Sequence, residues 1–96
     1  MYDKVFNPLA EALRLFRIYS DISQGDMAVN LQFQNNVLSQ IENGRREITV
    51  KTLEKYAEFF KIRVSDITFF AEQIKNNKNI KKEIFDVIIK SVKEGV

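Results

Sequence analysis

The stretch from Ile22 to Gly44, ISQGDMAVNLQFQNNVLSQIENG, leaves this chain few ways to fold. Ser23 precedes an apolar-periodic run and has Asp26 three residues on, the capping-box spacing that satisfies an amide left over by the first helical turn. Met27, Ala28 and Leu31 follow at helical spacing and predict a short helix over 24–31 with one buried side. Asn30-Leu31-Gln32-Phe33 breaks that pattern. A second helix over 34–43 turns Leu38 and Ile41 inward with Val37 beside them, and Gly44 closes it where a positive φ is expected. Asn35, Asn36, Ser39 and Gln40 are left on its outer side. Asparagine is a poor helix former, so two in a row at this place invite a reason. One is capping. The other is that a carboxamide offers donor and acceptor together, which matches the N6/N7 edge of adenine.

The rest of the chain also reads as helices. Asn7-Pro8 is a start signal, since Asn caps and Pro at the first helical position gives up an amide that had no partner. The helix over 8–19 carries Leu9, Ala12, Leu13 and Phe16 on one stripe, while Leu15 and Ile18 point to another side that must also be covered. Thr49 caps a helix over 50–60 with Leu53, Tyr56, Ala57 and Phe60 inward, and Ser65 caps one over 66–75 with Ile67, Phe70, Ala71 and Ile74 inward. Asn76-Asn77-Lys78-Asn79 is a polar break. Beyond it a sixth helix has two apolar faces: Ile80, Ile84, Val87 and Ile88 on one, Phe85, Ile89 and Val92 on the other. The first is expected to dock over Leu15 and Ile18, leaving Phe85, Ile89 and Val92 to contact a twin subunit or another partner; the competing reading wedges the helix into its own core. The expected fold is all-α, with 1–75 as the main domain and 76–96 as an added C-terminal helix.

Composition removes several classes of function. The chain has no cysteine and no histidine, so the commonest metal ligands, the commonest general base and any disulfide framework are missing. No metal, cofactor or catalysis is expected. There is no apolar run near the length of a membrane span and no secretory leader pattern at the N-terminus, so a cytoplasmic location without membrane contact is expected. Net charge is +2, but it is uneven: residues 1–74 hold nine Lys/Arg against ten Asp/Glu (−1), and residues 75–96 hold six against three (+3). Nucleic-acid binding therefore cannot be argued from bulk charge; it depends on where single charges sit.

Ser23-Gln24, Met27-Ala28 and Ile41-Glu42-Asn43-Gly44 keep the spacing of the Cro/C1-type (Xre) helix-turn-helix family without a gap, and the resemblance runs from Leu13 and Arg17 to about Ile67. One departure is Gln32, which stands where the family has a turn glycine; a left-handed glutamine costs roughly 1–2 kcal/mol. The resemblance implies a lambda-repressor-like domain of five helices, to which the C-terminal helix is an addition. It implies a bacterial, nucleoid-associated regulator, a repressor in most family members, that binds double-stranded DNA as a homodimer at an inverted repeat through its third helix. Asn35, Asn36 and Gln40, with Ser39 between them, match the positions that reach bases. Gln24, Gln34, Asn43, Arg45, Arg46 and Lys51 fall where phosphates are held, with Gln24 also implied to buttress the third helix, although Arg45 and Arg46 also suit a merely solvated loop. Arg17 is implied to pair with Glu42, the alternative being a surface arginine. Two rival functions remain at this point: an antitoxin or controller whose last helix binds a protein partner, and an interaction module that has kept the fold and lost DNA binding.

Overall fold

A computed structural model describes residues 7–76, 79 and 81–94, the last three of them by backbone alone. Among the described residues the regular structure is entirely helical: α1 Pro8–Tyr19, α2 Gln24–Leu31, α3 Asn35–Glu42, α4 Val50–Phe60, α5 Val64–Asn76 and α6 Lys81–Glu94. None of these helices is long and apolar enough to cross a membrane.

Local chemistry explains most of the boundaries. Asn7 Oδ1 accepts from the Ala10 amide at 3.1 Å, Ser23 Oγ from Asp26 at 3.1 Å and Thr49 Oγ1 from Thr52 at 3.2 Å, so three helices start on side-chain caps read directly from sequence. α5 starts earlier than expected. Asp66 reaches back and accepts from the Arg63 amide at 2.9 Å, which frees the helix to begin at Val64 and puts Ser65 inside it rather than at its cap. α1, α2, α3 and α4 end alike, each in a left-handed residue: Asp21 (φ 57), Gln32 (φ 60), Gly44 (φ 73) and Lys61 (φ 58). In each case the next amide closes the turn on the carbonyl five residues back, as in Ile22 to Arg17 at 3.2 Å and Phe33 to Ala28 at 2.9 Å.

The core is organised around α1. Phe16 is fully buried, and its ring centroid lies 5.3 Å from Phe60, 5.2 Å from Phe70 and 5.2 Å from Phe85. One aromatic from α1 thus touches one from each of α4, α5 and α6. Edge-on and tilted ring pairs of this kind add about 0.5–1.5 kcal/mol each beyond the area they bury. Leu15 is buried as well, whereas Ile18 is 38% exposed.

α6 corrects the expected division of its faces. Phe85 and Ile88 are buried, and Ile84 and Ile89 pack half-buried against the same core, while Val87 is 64% exposed. At 100° per residue, positions 84, 88, 85 and 89 form one face about 140° wide, and 87 falls outside it. Phe85, expected to face a second chain, is instead taken up by the protein's own core because that single broad stripe was split into two, while Ile89 is half-covered by the same core. Val92 was grouped with them, but its side chain lies outside the described residues. The helix docks along the side of α1 that carries Glu11, Leu15, Phe16 and Tyr19 and leaves Ile18 uncovered: the Phe85 ring is 5.2 Å from that of Tyr19, and Lys81 Nζ donates to Glu11 at 2.9 Å.

Candidate nucleic-acid interface

The α2–α3 turn is built without glycine. Gln32 takes φ 60, ψ 42, and its strain is offset by bonds around it. From α4, Lys55 Nζ donates to the Leu31 carbonyl at 3.1 Å and stands 4.5 Å from the centre of the Phe33 ring. A charge-assisted hydrogen bond and a cation–π contact on the two residues flanking Gln32 clamp the turn to the helix behind it. Nothing in the sequence pointed to Lys55, because its partners lie more than twenty residues away and form no local pattern.

Beyond the turn, α3 presents two chemically opposite sides. Leu38, Ile41 and Glu42 are buried. Asn35 and Asn36 are exposed, and neither makes a side-chain hydrogen bond among the described residues. Gln34 occupies the cap position in extended geometry, yet its side chain caps nothing and is exposed. Capping therefore does not account for these three amides. Ser39 and Gln40 are half-buried on the next turn. At the end of α3 Gly44 is required: a Cβ there would stand 3.3 Å from Asn7 Cβ, in a backbone conformation that L side chains rarely adopt.

A buried ion pair fixes α3 against α1. Arg17 Nε donates to Glu42 Oε2 at 2.8 Å and Nη2 donates to Oε1 at 3.0 Å, while Nη1 reaches the Ile22 carbonyl at 2.9 Å. The bidentate fork sets both the position and the plane of the Glu42 carboxylate. Gln24 Nε2 adds a third donor to Glu42 at 3.2 Å, the buttressing of α3 that was expected of this residue along with a phosphate contact. Tyr56 lies in the same region, fully buried, and its Oη has no hydrogen-bond partner among the described residues. Burial, then the nearby Glu42 charge, push the Tyr56 phenol above its ordinary range.

The expected phosphate ligands separate into two groups. Arg45 and Lys51 are exposed and have no ion-pair or side-chain hydrogen-bond partner among the described residues. Arg46 is engaged: its Nε and Nη2 donate to Gln40 Oε1 at 3.0 and 2.8 Å. Asn43 Nδ2 makes a long contact of 3.4 Å with Ser39 Oγ. The outer side of α3 therefore offers free amides at its start, an amide–guanidinium pair at its end, and two free cations beside it. Such a surface suits the edge of an anionic, base-bearing polymer.

Comparison with curated proteins and with solved structures gave no match. A family model described as helix-turn-helix matches residues 13–67, more than half of the chain, and spans the α2–α3 pair, its brace and the start of α5. This chain belongs to the Cro/C1-type (Xre) helix-turn-helix family of DNA-binding regulators.

Proposed function

We propose that this protein binds an inverted-repeat operator as a homodimer, lays α3 of each copy in the major groove, and represses transcription by occupying promoter DNA. The observation that carries this reading is the pair of exposed, unengaged carboxamides at the start of α3, Asn35 and Asn36, on a helix held from behind by Arg17 and Glu42. An amide that is bonded to nothing else among the described residues, on a helix braced by a bidentate ion pair, is fit for bidentate recognition of a base edge. A good pair of that kind gives about 1–3 kcal/mol of discrimination.

Arg45 and Lys51 would meet the backbone on either side of the groove, where contacts set register without reading sequence. With Arg45 and Lys51 as the unengaged cations beside α3 among the described residues, binding by a single copy would be weak and sensitive to salt. Two copies double those contacts and call for half-sites about one helical turn apart. The direct test is selection of bound duplexes from a random pool. Enrichment of a two-fold symmetric motif with that spacing supports the reading, and a pool that stays random after repeated rounds refutes it.

A further inference from the structure

Gln40 and Arg46 form a unit whose chemistry differs from that of a free glutamine. Arg46 carries hydrogen-bond donors only. Whichever end of the Gln40 carboxamide meets it must therefore be the oxygen, so the amide orientation, often a matter of assignment, is dictated here by the partner. Two N–H groups, from Nε and Nη2, converge on that one oxygen from the same side at 3.0 and 2.8 Å and set a guanidinium charge against it. What Gln40 has left to offer is Nε2, with two N–H donors. What Arg46, itself exposed, has left is more N–H donors.

A free glutamine reads adenine by donating to N7 and accepting from N6. With a guanidinium bonded to its oxygen, Gln40 is a weakened acceptor, and the groups the unit has wholly free are donors. In the major groove guanine offers two adjacent acceptors, N7 and O6, whereas adenine and cytosine each place an amino donor at that edge. We propose that the Gln40–Arg46 pair is a guanine-reading unit, with Arg46 the specificity-determining residue that converts Gln40 from an adenine reader into a donor. The proposal rests on α3 entering the major groove and adds the identity of one base to that reading. It also reassigns Arg46 from a phosphate contact to a base-reading partner. The unit arises because Gly44 turns the chain back sharply, closing Arg45 N–H on the Gln40 carbonyl at 2.9 Å, so that the next side chain returns along the helix.

The experiment is duplex selection with the wild-type chain, Gln40→Ala and Arg46→Ala, each followed by a salt titration on the enriched site. The position at which Gln40→Ala loses preference marks the base this unit faces. Wild type is expected to select guanine there, and replacing that guanine by 7-deazaguanine, which removes N7, is expected to weaken binding by roughly 5- to 150-fold. Arg46→Ala frees the oxygen and is expected to move the preference at that position from guanine to adenine. Adenine at that position in the wild type overturns the proposal. So does an Arg46→Ala chain that binds every sequence more weakly, with a shallower salt dependence and no change in preference, as a phosphate contact would. A pool with no enriched motif in any of the three defeats the DNA-reading proposal itself, and this one with it.

Discussion

Removing Arg17 should do far more damage than removing a surface arginine. The Glu42 side chain is only 2% exposed and that of Arg17 15%, so the discount that applies to solvated ion pairs does not apply here. Arg17→Met keeps most of the packed stem but leaves the Glu42 carboxylate with Gln24 as its remaining donor and orphans the Ile22 carbonyl. Stranding one partner of a buried pair costs about 3–5 kcal/mol. A domain of this size has about 5–15 kcal/mol in total, and each kcal/mol moves the melting temperature by about 4–8 °C, so a fall of about 12–40 °C is expected. Far-ultraviolet circular dichroism suits the measurement, since the chain is helical and lacks tryptophan. The second half of a cycle makes the reasoning specific. Arg17→Met combined with Glu42→Leu removes both charges and should lose less than Arg17→Met alone, by about 2 kcal/mol or more, because no charge is left buried. If the double variant is instead as unstable as the sum of the two singles, or Arg17→Met costs less than about 1 kcal/mol, the pair does not brace α3 as described.

Three further outcomes follow from the same geometry. Gln32→Gly removes a left-handed side-chain cost of about 1–2 kcal/mol and adds about 0.5–1 kcal/mol of unfolded-state entropy, for a net gain of about 0.5–1 kcal/mol in urea unfolding; a loss would mean the glutamine side chain is itself needed. Lys55→Met gives up a charge-assisted bond of about 1.5–3 kcal/mol and recovers part of that as side-chain freedom, so about 1 kcal/mol should be lost. An unchanged urea midpoint would show that the clamp on the turn does not form. Around Glu11, burial raises the carboxyl, but the hydrogen bonds from Lys81 and Arg14 outweigh it and hold the group below its ordinary value of 4.5. A depressed carboxyl stabilises the fold above its unfolded value, and that contribution drains away as pH falls through the folded value. Urea midpoints followed from about pH 6 to about pH 3 should therefore drop further for wild type than for Glu11→Gln; parallel curves would contradict the tie between α1 and α6.

The sequence showed those features whose cause is local. The caps Asn7, Ser23 and Thr49 and the terminator Gly44 each act on a backbone group within a few residues, so identity and spacing reveal them. Gln32 was legible as a left-handed residue only through the resemblance, because it stands where the family has its turn glycine. α5 was misplaced for the opposite reason: Ser65 and Asp66 are both competent caps, and only the backbone decides which one reaches the Arg63 amide. The register of α6 was misjudged because a stripe 140° wide and two narrower stripes share the same apolar letters, and the pocket beneath Phe85 is made by Phe16 and Tyr19, far away in sequence. At the interface, the amides of α3 were legible as amides. That Arg46 occupies the oxygen of one of them was not, since the contact depends on the direction in which the chain leaves Gly44.

The proposed function turns on Asn35 and Asn36 reading bases rather than merely coating a helix. The most direct measurement is the ratio of affinities for the enriched duplex and for a scrambled one of the same length, at one fixed salt concentration, in wild type and in the Asn35→Ala/Asn36→Ala chain. Loss of one bidentate contact should cut that ratio by roughly 5- to 150-fold while affinity for the scrambled duplex stays put, because phosphate contacts by Arg45 and Lys51 are untouched. A ratio that survives the double substitution would mean sequence is read somewhere else on the molecule.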